Sequence, residues 1–323
     1  LQALSESDGL TVRQIEEKVN LRMMQVEKVL KLLSVENPAP VLKDGSRWVR
    51  TPVLYQMDHE KIQRLTSQRV EEWEKLQGYI DSENCLMLYL AESLDDENPA
   101  PCGKCARCLG APIIPETYAT SLAVDAALFL KHSEFPLVCN KQVAKDAFVE
   151  YGFRGNLPID DRAETGRILS RWGDAGWGEQ VAEGKHSDNF GDELVEATAE
   201  MISERWDPQP SPQWVTCVPS RTHPELVPDF ARRLARRLNL PFVPALTKLQ
   251  DNQQQKFQQN RFHQCRNLDG VFGVIGDVPG GPVLLVDDIV YSGWTLTVTA
   301  AILRRAGSGP VFPVALATTM SGR

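Results

Sequence analysis

Four of the seven cysteines of this chain form a pattern that suits metal binding. Their spacing is Cys-x16-Cys-x2-Cys-x2-Cys, and the residues are Cys85, Cys102, Cys105 and Cys108. Four thiolates at this spacing suit a tetrahedral zinc ion that has no open position for a catalytic water. An iron–sulfur cluster and four unrelated buried thiols are the alternatives. We interpret the cluster as a structural zinc site.

A second pattern, VLLVDDIVYSGWT, occupies residues 283–295. Its four apolar residues predict a strand that is buried in a parallel sheet. Asp287 and Asp288 are predicted to lie at the end of that strand, where carboxylates can accept hydrogen bonds from vicinal sugar hydroxyls and help to hold Mg²⁺. The following turn would present backbone N–H and hydroxyl groups to a phosphate at the start of a helix. The residues of that turn are Tyr291, Ser292, Gly293, Trp294 and Thr295.

The elements around this turn alternate between short strands and helices from residue 213 onward, which indicates a parallel sheet with crossover helices. Ligands of such sheets bind beyond the carboxyl ends of the strands. Two further loops are candidates. Ser220, Arg221 and Thr222 follow one predicted strand and could meet a phosphate. The polar run KLQDNQQQKFQQNR, residues 248–261, is long enough to predict a mobile flap.

Residues 1–52 have the outline of a winged-helix module. Thr11 and Gln14 have the spacing of a capping box at a helix start, a second amphipathic helix follows Arg22, and Asp44-Gly45 predicts a hairpin turn. In such modules the second helix enters a DNA groove and the wing contacts the backbone. The candidate DNA contacts are Arg22, Lys28 and Lys31 on the helix, and Lys43, Arg47 and Arg50 on the hairpin. A winged helix that binds protein is the alternative, and Trp48 is expected in the core.

Composition limits the classes of protein to consider. The chain has 323 residues, a net charge of -8, 42% hydrophobic and 24% charged residues, which is typical of soluble multidomain proteins. A general electrostatic binder of nucleic acid would be more basic, so any DNA contact is expected to be local. No apolar run predicts a membrane span, and the clustered cysteines favour a reducing compartment. We expect a cytoplasmic, nucleoid-associated protein, and a chain cut from a longer one because it begins without Met or a signal pattern.

The segment CLMLYLAESLDDENPAPCGKCARCLG resembles the zinc-binding subdomain of RecQ-type DNA helicases. The resemblance implies an ATP-driven helicase that moves 3′ to 5′ along DNA, with the zinc module bracing the motor and accessory domains. Two features depart from the family pattern. No G-x4-GK[ST] loop occurs, so an ATP-binding motor is expected outside this sequence, and the winged helix precedes the cysteines instead of following them. The resemblance therefore suggests the C-terminal part of an atypical member.

The DDIVYSGWT turn resembles the 5-phosphoribosyl-1-diphosphate (PRPP) loop of type I phosphoribosyltransferases, and ComF-like competence proteins are the most similar subgroup. That subgroup shares a flap and an Asn-x-x-Gly-x-Phe element, matched here by Gln255, Arg261, Asn267, Gly270 and Phe272. By resemblance, Asp287 and Asp288 would bind ribose, and residues 291–295 the 5′-phosphate. Residues 220–222 would meet the diphosphate, and the flap with Lys248 and Lys256 would close over it.

Activity does not follow from the resemblance, since fold does not fix function. Tyr291 and Trp294 stand where small residues are commoner in the family, and they would narrow the site. No residue is assigned a catalytic role. The domain could be a transferase tethered to DNA, or a module that senses a phosphosugar or nucleotide or holds a protein partner without chemistry.

We therefore expect a multidomain α+β and α/β chain. The predicted parts are a winged-helix domain (1–52), a helical zinc-binding domain with four cysteines (53–110), a helical and irregular linking segment (111–205) and a phosphoribosyltransferase-like parallel-sheet domain (206–323). Within the linking segment, residues 156–191 lack the alternation expected of a sheet. The sequence carries no signal for an oligomeric state.

Overall fold

A computed structural model describes residues 1–319, so the last four residues of the predicted domain 206–323 lie outside the described part of the chain. The chain divides into two compact units. One unit combines Leu1–Thr51 with the chain from Asp125 onward, and the other is Pro52–Val124.

The N-terminal part of the first unit contains the predicted helices and hairpin. Its elements are α1 (Gln2–Ser5), α2 (Val12–Lys18), α3 (Met23–Ser34), β1 (Val41–Asp44) and β2 (Arg47–Arg50). Thr11 and Gln14 form the predicted capping box at the start of α2. Trp48 is buried as expected, and its backbone pairs with Leu10. A small apolar core thus joins three helices to a two-stranded antiparallel sheet.

The unit Pro52–Val124 is built around a long helix. Its complete helices are α4 (His59–Asp81), α5 (Leu86–Ser93) and α6 (Ala106–Leu109), and α7 (Thr120–Lys131) begins in it. The Tyr89 hydroxyl of α5 donates to the carbonyl of Lys75 in α4, 2.9 Å away. This close approach requires Gly78, because a Cβ there would lie 2.7 Å from the same hydroxyl oxygen.

The central sheet of the first unit has five strands, in the order β3-β4-β9-β8-β5. All neighbours are parallel except β3 and β4. Its strands are β3 (Phe135–Leu137), β4 (Gly166–Arg171), β5 (Trp214–Cys217), β8 (Val283–Val290) and β9 (Val311–Thr318), and β6 (Leu246–Lys248) and β7 (Phe272–Val274) form a separate antiparallel pair. The helices of the first unit that follow β4 are α8 (Gly178–His186), α9 (Asp192–Glu200), α10 (Leu226–Arg237), α11 (Arg261–Arg266) and α12 (Trp294–Arg305). A π-helical turn follows α9 at Met201–Trp206.

Two predictions about these elements are corrected. The segment 111–205 was expected to contain helices and loops, with no sheet over 156–191, yet it supplies β3 and β4, and β4 pairs with β9. These strands are short, and β3 is a three-residue edge strand, so they lack a periodic pattern. The alternating region from residue 213 onward was expected to form one parallel sheet, yet its strand β6 pairs antiparallel with β7 outside the central sheet.

Both faces of the central sheet are covered, which explains the uninterrupted apolar run of β8. Successive side chains of a strand point to opposite faces. Val283 and Leu285 pack in the cluster that contains α12, whereas Leu284 and Val286 pack in the cluster that contains α9 and α10. Across residues 1–319, every helix is too short or too polar to cross a membrane.

Candidate functional sites

Asp287 and Asp288 lie inside β8, not at its end as predicted. The strand continues to Val290 because its other edge still pairs with β9, where Ile289 is opposite Ala317. On the β5 side, however, strand pairing stops at Cys217 opposite Val286. The two aspartates therefore occupy the first positions beyond the carboxyl end of β5, which is where a parallel sheet offers an open edge.

The two carboxylates point to opposite faces of the sheet. Asp287 lines a small cavity of about 30 Å³ together with Gln255 and residues 289–293, 295 and 296. Asp288 faces the other side, where its carboxylate forms an ion pair with Lys185 of α8. Both members of that pair are largely shielded, with side-chain exposures of 24% for Lys185 and 12% for Asp288. Only Asp287 shares a cavity with the predicted phosphate turn.

The environment of Asp287 disfavours its charged form. Burial raises the pKa of its carboxyl well above the usual value, and the neighbouring Asp288 carboxylate raises it further. A hydrogen bond from the backbone N–H of Asp288 and the charge of Lys185 act in the opposite direction. A carboxyl held in this way gains from a bound cation or from hydroxyl donors, which would stabilise its charge.

The predicted phosphate turn leads directly into α12. Gly293 has φ 72°, a left-handed conformation that a side chain would strain, and it is the N-cap of the helix. The turn is braced from the loop after β3, because Asn140 donates to the carbonyl of Ser292 at 3.0 Å, and its backbone N–H donates to the Thr297 hydroxyl at 3.0 Å. The first N–H groups of a twelve-residue helix are thereby fixed toward the cavity.

The two bulky residues of this turn have different positions. Tyr291 is 41% exposed and lines the cavity. Trp294 is 3% exposed and packs in the core, with its ring 6.5 Å from that of Phe148. The expectation that both would narrow the site is therefore wrong for the Trp294 side chain. Only its backbone N–H is available to a ligand at the start of α12.

The loop after β5 contacts both the segment that follows α8 and the flap. The Ser220 and Thr222 hydroxyls lie 3.1 Å apart, and Ser220 also accepts from the N–H of His223. His223 contacts Asp188, three residues beyond Lys185, at 2.6 Å. Arg221 turns toward the start of the flap, where it pairs with Asp251 at 2.6 Å. The guanidinium of Arg221 is thus occupied by the flap.

The flap is ordered by side-chain amides. Asn267 accepts from the N–H of Gln253 at 3.0 Å and donates to its carbonyl at 2.8 Å, and Gln255 donates to the carbonyl of Gln264 at 3.1 Å. The Asn-x-x-Gly-x-Phe element supports this arrangement, because Gly270 turns with φ 71°. The three predicted cations of the flap differ in their surroundings. Lys248 is half-buried, which lowers its pKa, Lys256 is exposed beside the Phe257 ring, and Arg261 contacts Gln142 and lies 5.7 Å from the centre of the Trp294 ring.

The four cysteine sulfur atoms converge in the unit Pro52–Val124. All four lie within 4.8 Å of one another, and the Cys85 sulfur is 3.6 Å from that of Cys102 and 3.9 Å from that of Cys105. Sulfur ligands about 2.3 Å from a tetrahedral zinc would be about 3.8 Å apart. A hydrogen bond from the Cys108 N–H lowers the pKa of Cys105, and one from the Cys102 N–H lowers that of Cys85. Thiolate formation, which metal binding needs, is thereby favoured at Cys105 and Cys85, whereas side-chain hydrogen bonds with these two cysteines raise the pKa of Cys108 to about 11.

The candidate DNA contacts have mixed surroundings. Lys28, Lys31 and Lys43 are exposed, as is Arg22 at the N-terminus of α3. Arg47 donates to the carbonyl of Gly9 at 3.1 Å, and Arg50 is half-buried and donates to the hydroxyl of Ser5. The exposed face of α3 is partly apolar, with Met24 79%, Val29 47% and Leu32 60% exposed. A surface of this kind fits a protein partner as well as DNA.

Two residues of the site could not be identified from sequence. Lys185 lies 103 residues before Asp288, and Asn140 lies 152 residues before Ser292. A buried carboxylate needs a counter-charge, so the sequence could suggest that some cation meets Asp288. It could not indicate which one, because that choice depends on how α8 packs across the sheet.

The part of the chain that contains β8 and the cavity at the start of α12 is similar to known phosphoribosyltransferases. Residues 227–323 match the family model described as the phosphoribosyl transferase domain. Solved structures similar to this chain include a purine phosphoribosyltransferase from Pyrococcus horikoshii Ot3, with 20% identity, 41% of this chain and 76% of that chain covered, and a TM-score of 0.27. Another is an adenine phosphoribosyltransferase from Leishmania donovani, with 15% identity, 59% and 79% covered, and a TM-score of 0.29. None of the curated proteins matches the chain.

Proposed function

We propose that the parallel-sheet domain binds a ribose 5-phosphate group, with PRPP and Mg²⁺ as the ligand to test. The observation that carries this proposal is that Asp287 shares one cavity with the turn at the start of α12. The N–H groups of that turn would hold the 5′-phosphate, and Asp287 would accept hydrogen bonds from ribose hydroxyls. The loop of Ser220 and Thr222 would meet the diphosphate, whose oxygens would carry the Mg²⁺.

Asp288 has a different role in this proposal. Because its carboxylate is paired with Lys185 on the opposite face, it would not contact ribose while that pair is intact. It would position β8 and α8 relative to each other, and it would influence the charge of Asp287. Asp287 is therefore the residue on which ribose binding depends more.

Calorimetry with PRPP and Mg²⁺ tests this proposal. We expect the wild-type chain to bind and Asp287→Asn to lose about 10- to 100-fold in affinity, since hydrogen bonds to a charged group contribute about 1.5–3 kcal/mol. The control is Asp277→Asn, because Asp277 is an exposed aspartate outside the cavity. Absence of binding by the wild type would refute the proposal.

Transferase activity is the alternative for the same site. It would release diphosphate from PRPP only when an acceptor base or amine is present, whereas a sensing module would bind PRPP without turnover. Diphosphate release with a set of purine and pyrimidine bases separates the two. Among the residues of the cavity, Asp287 has a carboxyl that could assist proton transfer, and Gln255 has an amide that could orient an acceptor. No catalytic role is assigned to either residue.

A wider role is supported by the N-terminal and cysteine-bearing parts of the chain. In this proposal the chain is the accessory region of a RecQ-like DNA helicase, with zinc on the four cysteines and DNA on α3 and the β1–β2 hairpin. Supporting features are the sulfur separations near those of a tetrahedral site and the exposed Lys28, Lys31 and Lys43. ATP would act only in a motor outside this sequence. Metal analysis and duplex-binding measurements, described below, test the two parts separately.

A further inference from the structure

The far end of the flap is fastened to the N-terminal domain by two asparagines. The side-chain amide of Asn20 donates to the carbonyl of Phe257 at 2.8 Å, and its oxygen accepts from the N–H of Gln259 at 2.8 Å. In the reverse direction, the side-chain amide of Asn260 points into the junction between α2 and α3. Its acceptors are the carbonyls of Glu16 at 2.9 Å, Val19 at 3.0 Å and Leu21 at 3.0 Å. We call these two residues the asparagine clamp.

Asn260 occupies a position where its loss would leave several groups without partners. The last carbonyls of a helix have no N–H donor within the helix itself. The Asn260 amide donates to carbonyls at the end of α2 and so supplies that partner. Its oxygen accepts from the N–H of His263 at 2.9 Å, so the same side chain is the N-cap of α11. Asn260 is only 4% exposed. A buried amide with all these partners is a specific connection between the two parts.

The packing beside the clamp is incomplete. A cavity of about 400 Å³ lies between the N-terminal domain and the sheet domain. Arg13, Glu17 and Met23 line it from one side, and Val143, Arg261 and Phe262 line it from the other. The hydrogen bonds of the clamp therefore lie beside an interface that is only partly closed. Since each contributes about 0.5–1.5 kcal/mol net, such a contact can be opened and remade.

The clamp is linked to the candidate site through the flap. Gln258 accepts from the side-chain amide of Gln264, whose own carbonyl accepts from Gln255. Gln255 lines the cavity beside Asp287. That cavity, about 30 Å³, has room for a water molecule, whereas pockets for organic ligands measure roughly 300–1,000 Å³. The cavity is therefore too small for a phosphosugar with Gln255 in its present position, and Gln255 is the flap residue that lines it.

We propose that Asn20 and Asn260 are positioning residues of the phosphosugar site, so that the N-terminal domain is a working part of it. The clamp fixes one end of the flap and sets the position to which Gln255 returns over a bound ligand. This inference rests on the proposed function, because it takes the ligand of the cavity to be a phosphosugar. Linkage then requires that a ligand which changes the flap also changes the contact with α2 and α3.

Hydrogen–deuterium exchange of the full chain tests the clamp without any ligand. In Asn20→Ala, we expect the amides of residues 257–260 to exchange about tenfold faster or more, since two hydrogen bonds are lost. The amides of β8 and α12 should be unchanged. The control is Asn252→Ala in the same flap, because within residues 1–319 the Asn252 side chain donates to no group but the adjacent carbonyl of Gln253. Exchange in Asn20→Ala equal to that of the wild type would overturn the inference.

A second variant guards against simple misfolding. Asn260→Asp keeps an oxygen to accept the His263 N–H but removes the donor to the three carbonyls of the α2–α3 junction. We expect α11 to remain protected while residues 257–260 exchange faster, as in Asn20→Ala. If α11 also loses protection, Asn20→Ala decides alone, because Asn20 makes no bond to α11 within residues 1–319.

PRPP with Mg²⁺ provides the functional measurement. We expect about threefold to tenfold weaker binding in Asn20→Ala and unchanged binding in Asn252→Ala, in line with the loss of one or two ordinary hydrogen bonds. Faster exchange of the flap with unchanged affinity would overturn the positioning role. Failure of the wild type to bind PRPP would refute the proposed function and the positioning role with it, while the exchange result would still decide whether the clamp holds the flap.

Discussion

The central sheet and the cysteine-bearing unit bury very different side chains. All eight residues of β9 are buried, and β8 is buried at six of its eight positions. By contrast, α4 has 23 residues and buries none of them. Within Pro52–Val124, which the structure describes throughout, Cys85 and Cys105 are the only buried residues.

The contrast indicates two sources of stability. Burial of apolar surface stabilises the sheet, at roughly 25 cal/mol per Å² removed from water. The unit Pro52–Val124 lacks such a core among its own residues, and its buried groups are thiols that can bind a metal. Small domains without a sufficient core commonly depend on a metal or on disulfides. The following predictions test this contrast, beginning with the largest effect.

Metal removal should affect one region only. We expect about one zinc ion per chain in the wild type and none in Cys105→Ser, since structural zinc contributes on the order of 10 kcal/mol to folding. Amides of α5 and α6 should then exchange at rates close to those of an unfolded chain, while β8 and β9 keep their protection. Metal analysis and hydrogen exchange measure both effects. Lys104→Ala in the same loop is the control and should retain the metal; a folded, metal-free Pro52–Val124 would contradict the interpretation.

Asp287→Asn should separate stability from binding in the sheet domain. The pKa of Asp287 is raised in the folded chain, so the folded state holds the proton more tightly than the unfolded state. Stability is therefore lost as the pH rises from the usual carboxyl pKa through the raised value. Asn has no proton to lose in this range, so the variant should have a higher Tm at neutral pH. Each kcal/mol gained in the free energy of unfolding raises the Tm by about 2–4 °C.

Thermal unfolding from pH 4 to pH 8 measures this difference. The gap in Tm between Asp287→Asn and the wild type should be small at the acid end and should widen toward neutral pH. Exposed Asp277→Asn is again the control, with no such trend expected. A variant less stable than the wild type at neutral pH would show that the ionised carboxylate is a net stabilising group in the folded chain.

The sequence predicted those parts of the fold whose signals are local. The capping box of Thr11, the hairpin at Asp44-Gly45 and the buried run of β8 are set by neighbouring residues, and all three are present. The phosphoribosyltransferase-like sheet domain is confirmed by the family match to residues 227–323. Short strands of three to six residues, such as the edge strand β3 and its neighbour β4, carry too little pattern to be recognised.

Long-range pairings could not be predicted for a different reason. Asn20 and Asn260 lie 240 positions apart in the numbering, and each is an ordinary polar residue in its own segment. Their partners are backbone groups, which every residue possesses, so side-chain type gives no clue to the pairing. Similarly, the alternation of a strand implies that Asp287 and Asp288 face opposite sides, but only the packed helices show that Lys185 covers one side.

Lys185→Met should destabilise the sheet domain by about 1–3 kcal/mol, because it leaves the shielded Asp288 carboxylate without its counter-charge. Urea unfolding measures the change. The double variant Lys185→Met/Asp288→Asn should recover much of it, since neither charge then remains. Lys141→Met, at an exposed lysine, is the control. Equal stability of Lys185→Met and the wild type would show that the ion pair makes no net contribution to folding.

The smallest effect concerns DNA and should leave the stability of both regions unchanged. Lys43→Ala/Arg47→Ala removes two cations of the β1–β2 hairpin, both exposed. If both contact phosphates, duplex affinity should fall, and the slope of log K against log salt should decrease in magnitude by about 2. Fluorescence anisotropy over a range of salt concentrations measures the slope. Arg154→Ala, an exposed arginine of the sheet unit, is the control. An unchanged slope would favour a protein partner, which the apolar residues exposed on α3, Met24, Val29 and Leu32, would also suit.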